Sequence, residues 1–229
     1  MKRLCLIIIC LTSFAASYAQ SGDIYSEFSI GVGAGTTTVY DYVLAAQNKY
    51  ALNGTFSYNI TPFFALTGEG QFGKFEGGDL TAFNMKYFYS AYAAATLHAD
   101  LQVGELIDYD RSDFLYSLKD AYFGSGFGLL KNSITYVQPI SPNSNTLYNT
   151  VTSSTNFLMP FVFGYDFKIY NAYDEPKIRL DVSYTLNAVF GQGIDGYVTA
   201  APVKFYTYFS VGVKYGFGGG KLYRKPIRY

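Results

Sequence analysis

The sequence predicts an all-β protein: a single closed, antiparallel, up-and-down transmembrane β-barrel of eight strands. Three observations carry that prediction. Long segments alternate strictly between apolar and polar residues, the composition is aromatic and poor in charge, and the chain opens on an export leader.

The alternation is plainest from Lys177 to Phe190. Ile178, Leu180, Val182, Tyr184, Leu186, Ala188 and Phe190 form one face, and Arg179, Asp181, Ser183, Thr185, Asn187 and Val189 the other. From Lys204 to Phe217 the same pattern sets Phe205, Phe209, Val211, Val213, Tyr215 and Phe217 against Tyr206, Tyr208, Ser210, Gly212 and Lys214. Residues 49–60 repeat it. Successive strand side chains point to opposite faces, so each segment has one greasy and one polar side. Strands of soluble proteins run to about five or six residues, whereas tilted strands that cross a bilayer need roughly 9–11. Segments 24–36, 63–73, 120–130 and 156–169 complete seven, and 87–103 adds an eighth with an alanine-rich face. An even count suits a single-chain membrane barrel, and ten is the alternative. Two local signals run against the pattern. Asn53-Gly54 would make a hairpin turn in isolation, and Pro160 should mark a bulge or a strand end.

Composition agrees. The chain holds 24 Tyr, 20 Phe and 23 Gly, with 15% charged residues where about 25% is usual. Seventeen basic residues balance 17 acidic ones, so no nucleic-acid partner is expected. No stretch of 18 apolar residues offers a helical span.

The leader has three parts. Met1-Lys2-Arg3 is basic, Leu4 to Leu11 is apolar, and Ser17-Tyr18-Ala19 places small residues before Gln20. That layout predicts a secretory signal over 1–19, cut between Ala19 and Gln20. Both cysteines, Cys5 and Cys10, fall inside it, so the exported part must be stable without disulfides. The barrel is expected over 20–217, followed by a basic periplasmic tail, 218–229, that carries Lys221, Arg224, Lys225 and Arg228.

Connection lengths orient the barrel. Short turns are expected at Thr61-Pro62 and around Asn171 to Pro176, and long loops near 37–48, 74–86, 131–155 and 191–203. Short periplasmic turns with long extracellular loops put both termini in the periplasm. Residues 104–118 are long for a periplasmic turn and should hold a helical turn.

The leader, the eight alternating segments and the aromatic last strand Tyr206-Thr207-Tyr208-Phe209-Ser210-Val211-Gly212-Val213-Lys214-Tyr215-Gly216-Phe217 together resemble the eight-stranded outer-membrane β-barrel proteins. The transmembrane domain of outer membrane protein A belongs to that group. The resemblance implies a bacterial outer-membrane location, outer-membrane lipids and the barrel-assembly machinery as partners, and a monomer. It is one of pattern, and the chain lacks the peptidoglycan-binding domain of the larger members.

Candidate sites are few. Gly31-Val32-Gly33-Ala34-Gly35 and Gly124-Ser125-Gly126-Phe127-Gly128 resemble phosphate loops but lack the Gly-Lys-Ser/Thr and the helix such loops need. Their glycines fall on one face, the crowded interior of a narrow barrel. His98 is the single histidine, so no metal site, catalytic residue or cofactor is expected. His98 and Asp100 share the interior face, but at i and i+2 their positions lie about 7 Å apart, too far to bond without rearrangement. Glu27, Glu69, Asp166, Lys168, Arg179, Asp181 and Lys214 all take the interior phase and should form a structural ionic network, because lone buried charges are very costly. The expected function is a non-enzymatic, porin-like envelope barrel with a filled polar interior, whose loops, 131–155 above all, shield the cell or bind an extracellular ligand. A narrow solute channel, a lipid-modifying enzyme and a soluble lipocalin-like carrier are the alternatives.

Overall fold

A computed structural model of the chain describes residues 23–40, 47–78, 87–137, 153–172, 175–191, 194 and 203–223. The signal cleavage at Ala19 and Gln20, Arg224, Lys225 and Arg228 of the tail, and the centre of the 131–155 loop lie outside these residues.

Eight antiparallel strands form a closed ring in sequence order: β1 (Asp23–Tyr40), β2 (Asn48–Thr61), β3 (Phe64–Gly77), β4 (Phe88–Gln102), β5 (Ala121–Val137), β6 (Ser153–Tyr170), β7 (Pro176–Phe190) and β8 (Val203–Tyr223). β8 closes on β1 along almost its whole length, from Tyr40↔Phe205 to Asp23↔Tyr223. β2 continues through Asn53-Gly54 without a turn. The β2–β3 turn at Pro62-Phe63, the 103–120 connection, the 171–175 turn and the outer ends of β1 and β8 share one end of the barrel, called here the terminal end. The other is the loop end.

The strand phase matches the alternation. Arg179, Asp181, Ser183, Thr185 and Asn187 are buried inside, while Ile178, Leu180, Tyr184 and Phe190 are exposed outside. The outer wall is an apolar band of Ile30, Val32, Leu52, Phe56, Phe72, Leu97, Phe127, Leu129, Phe161, Phe163, Val211 and Val213. Lys74 and Lys131 face outward near its loop end.

Several boundaries differ from the sequence reading. β5 runs on to Val137 and β6 begins at Ser153, so both ends of the supposed 131–155 loop are strand. Polar side chains there remove the apolar signal while the backbone ladder continues. Pro160 neither ends nor shifts its strand: it stays paired with Asn187 on β7. Its cost falls on the other side, where the β5–β6 pairs resume only at Ser125↔Phe161 and Gly128↔Leu158, in unchanged register. The missing N–H removes one ladder bond without adding a residue. β8 also runs past Phe217 to Tyr223, after a register shift opposite Ser26/Phe28 that the positive φ of Gly218 accommodates.

Gly126 shows why the interior face carries glycine. A Cβ there would sit 2.0 Å from the Leu97 carbonyl oxygen on β4, a backbone atom that cannot swing away. Gly68 points outward, and a Cβ there meets nothing closer than 3.9 Å. Gly126→Ala is therefore expected to lower the urea midpoint of the folded barrel by an amount equivalent to about 1–3 kcal/mol, as overpacking does, while Gly68→Ala leaves it unchanged. Equal effects at the two positions would contradict this inward–outward assignment.

Candidate functional site: the barrel interior

The interior divides into three layers. The layer at the terminal end is ionic. Lys214 Nζ lies 2.9 Å from Asp181 Oδ1 and 3.3 Å from Asp166 Oδ1, and Arg179 Nη1 lies 3.7 Å from Asp166 Oδ2. Tyr122 donates its hydroxyl to Asp181 at 2.7 Å, and Gln102 donates its amide to Asp166 at 3.2 Å. Lys168 donates to Gln102 Oε1 at 2.9 Å and pairs with Asp120 at 2.7 Å.

The register makes this pairing diagonal. Directly across the ladder stand Asp166↔Asp181, Arg179↔Lys214 and Lys168↔Arg179, each of like sign. Like charges directly opposite one another repel, so compensation has to come from positions two residues away. Asp181 stands opposite Gly212, and the Lys214 stem runs past Gly31 on β1, where a Cβ would fall 2.8 Å from its Cγ. Lys214, two residues along β8, reaches Asp181 from there. Asp166, Asp181 and Asp120 then balance Lys168, Arg179 and Lys214.

The middle layer is built around His98. Its Nδ1 lies 2.7 Å from Asp100 Oδ1, and its Nε2 lies 3.6 Å from Glu69 Oε2. This corrects the expectation that His98 and Asp100 are too far apart. Their backbone positions are two apart on β4, but both side chains point inward and their rotamers converge. Thr67 donates to Asp100 Oδ2 at 2.7 Å, and Asn53 and Gln71 each donate to Glu69 Oε1 at 3.1 Å. His98 is buried, and its second nitrogen faces a carboxylate instead of a hydroxyl that it could activate. Among the described residues no group of three or more His, Cys, Asp or Glu is placed to hold a metal ion.

The layer at the loop end is aromatic. Phe75 and Tyr92 stack with ring centroids 3.9 Å apart and an interplanar angle of 1°, and Tyr206 leans on Phe75 at 4.9 Å. Val39, Phe88, Leu130, Leu158, Val189 and Ile194 complete a buried apolar plug. Tyr206 donates its hydroxyl to Gln71, and Tyr208 donates to Asn53. These two bonds join the plug to the His98 layer. Beside the ionic layer a residual cavity of about 20 Å³ touches Asp100, Gln102, Tyr122, Asp166, Arg179 and Lys214, room for about one water.

The structure thus brings Asp166, Lys168, Arg179, Asp181 and Lys214 into one network and places Glu69 in the next layer. Glu27 lies apart. The register shift at Ser26/Phe28 re-aims it, and its carboxylate pairs with the half-exposed Lys221 at 2.7 Å on the rim. Nearby, Glu175 in the 171–175 turn accepts from Ser26 Oγ and pairs with Lys177, both at 2.8 Å. Lys177 holds that carboxyl below its ordinary range. Sequence reasoning did not single out Asp120, Gln102 and Tyr122 as members of the ionic layer. The even phase of Gln102 in 87–103 and of Tyr122 in 120–130 could have flagged both, and Asp120, the first residue of 120–130, shares the phase of Tyr122 although β5 itself begins at Ala121.

The chain was compared with known proteins. Comparisons with protein families and with curated proteins give no match. Among solved structures, the chain is similar to Neisserial surface protein A, at 15% identity and a TM-score of 0.49, covering 84% of this chain and 98% of that one. It is also similar to Ail, the attachment invasion locus protein of Yersinia pestis, solved with the heparin analogue sucrose octasulfate, at 15% identity and a TM-score of 0.46, covering 86% and 100%. The outer membrane protein OprG from Pseudomonas aeruginosa is a third, at 10% identity and a TM-score of 0.39, covering 85% and 98%.

The diagonal pairing has a direct consequence. Lys214→Met leaves Asp166 and Asp181 face to face inside the barrel, and breaking a buried pair this way typically costs about 3–5 kcal/mol. Lys214→Met is expected to lower the urea midpoint sharply, and Lys214→Met with Asp181→Asn to recover most of the loss. An unchanged midpoint in the single variant would contradict the network.

Proposed function

We propose that this chain is an integral, non-enzymatic β-barrel of a bacterial outer membrane, with a filled interior, periplasmic termini, and loops that serve structural, shielding or binding roles. One observation carries the reading: the wall is apolar on its outer face, while the interior holds an ionic layer and the His98 layer beneath the aromatic plug. A soluble carrier barrel has the reverse arrangement, because its wall meets water and its cavity holds an apolar ligand. A closed sheet with an apolar wall suits lipid, where every backbone N–H and C=O must be paired within the protein. Two of the three connections at the terminal end, Pro62-Phe63 and 171–175, are short, which supports periplasmic termini, since such barrels keep short turns on that side.

The interior favours a filled barrel over a channel. The aromatic plug closes the loop end, and the ionic layer closes the barrel above a recess of about 350 Å³ at the terminal mouth, lined by Pro62, Phe63, Lys168 and Pro176. Beside that layer there is room for about one water. The same burial disfavours lipid chemistry at His98, which no acyl chain could approach through the wall. Outer-membrane lipids and the assembly machinery are the partners such a barrel requires. The 131–155 segment, which carries no charged residue from 138 to 152, is the one proposed to meet any extracellular ligand.

Reconstitution into phospholipid vesicles loaded with a small sugar tests this reading. The protein is expected to resist extraction by alkaline carbonate while the vesicles retain the sugar. Extraction into the supernatant would contradict membrane integration, and sugar efflux would contradict the filled interior.

A further inference from the structure

The β4–β5 connection contains two 3-10 turns, Val103–Glu105 and Tyr109–Arg111, and one short helix, α1 (Asp113–Leu118). α1 is well formed locally. Ser112 caps it by accepting the Leu115 N–H at 3.3 Å, and Asp113 lies in its first turn, where negative charge suits the helix dipole. Yet no residue of α1 is buried. Phe114 is 72% exposed, Tyr116 53% and Leu118 36%, and Leu106 on the same connection is 51% exposed. Phe114 and Leu118, four residues apart, lie on one face of the helix. A six-residue helix is far too short to persist in water by propensity alone, so its apolar face has to be covered.

Its position indicates what covers it. The connection reaches under the barrel at Tyr109, which packs on Phe63 at 5.7 Å and donates to Asp23 at 2.8 Å. α1 itself sits against the outer wall: Tyr165, an outward residue of β6, donates its hydroxyl to the Ser117 carbonyl at 2.7 Å. Beyond Tyr165, toward the β6–β7 turn, the same strand still presents Phe167 and Ile169 outward and exposed. α1 is therefore bonded to the wall at a level where that wall remains apolar. Its exposed face continues the surface already assigned to lipid. Lys119 stands behind it, with Nζ 3.6 Å above the Tyr116 ring, and holds that ring in place by a cation–π contact.

We propose that α1 is an interfacial anchor: Phe114 and Leu118 dip into the headgroup–acyl boundary of the phospholipid leaflet at the terminal end of the barrel. The anchor rests on the membrane reading above. Amphipathic segments of this kind bury their apolar face about 5–10 Å into that boundary.

The chain contains no tryptophan, so one introduced indole reports alone. Phe114→Trp and, as a control on the wall of β8, Val211→Trp are reconstituted separately into phosphatidylcholine vesicles. The vesicle lipids carry bromine either near the headgroup or near the bilayer centre. For Phe114→Trp the expected result is blue-shifted emission, quenched more by bromine near the headgroup than by bromine near the centre. For Val211→Trp the order should reverse. Red-shifted, unquenched emission from Phe114→Trp beside a quenched Val211→Trp overturns the anchor and leaves the membrane barrel standing. Absence of quenching in both variants overturns the membrane reading, and the anchor with it.

Discussion

The pairing of β1 with β8 is the constraint on which the rest of the structure depends. An open eight-stranded sheet would leave two edges of unpaired N–H and C=O groups, which lipid cannot satisfy. Closure joins the first strand to the last across more than a dozen residue pairs, and it fixes the width of the interior. In an eight-stranded ring that interior is just wide enough for side chains. Small residues at Gly31, Gly33, Gly35, Gly124, Gly126 and Gly128 follow from closure. At Gly35, as at Gly126, a Cβ would fall within 2.0 Å of a backbone oxygen on the adjoining strand.

Narrowness also decides how charge is stored. Three acids and three bases can share the terminal layer only if each is paired, because a lone charge there has neither water nor a counter-ion. The ladder places like charges opposite one another, and Lys214, given room by the missing side chain of Gly31, resolves the conflict diagonally. Above it, His98 stands between two carboxylates that are themselves held by Thr67, Asn53 and Gln71. The aromatic layer then seals the loop end. A sealed interior favours a protein whose business lies on its surfaces: the wall, the loops and the connection at the terminal end.

Much of this was legible in the sequence, because period-2 alternation reports facing directly. Val182 against Ser183 and Val211 against Ser210 fall on the faces the alternation assigns, and the helical turn expected between β4 and β5 is present. Alternation reports only where one face is greasy, however. It lost β5 after Leu130 and β8 after Phe217, where polar residues and glycines continue the ladder. Glu27 was misplaced because it stands opposite a one-residue bulge at Gly218-Gly219 on the partner strand, which the sequence of β1 does not reveal. The His98–Asp100 contact was missed because backbone spacing says nothing about rotamers that converge. Pro160 shows the converse: a strand-breaking residue is tolerated where a single ladder bond can be given up. α1 was foreseen as a turn, but its place on the outer wall depends on the Tyr165 hydroxyl, a tertiary contact.

Ring closure can be measured directly at the β1–β8 seam. Val32 and Val213 are register partners on the outer face, and paired strand residues lie within disulfide range. With Cys5 and Cys10 replaced by serine, Val32→Cys combined with Val213→Cys is expected to cross-link on mild oxidation of the folded protein. Val32→Cys combined with Leu66→Cys on β3, two strands away, should remain reduced. A reduced Val32–Val213 pair in folded protein whose thiols both react with a small alkylating reagent would mean the seam is open, and would contradict the closed barrel.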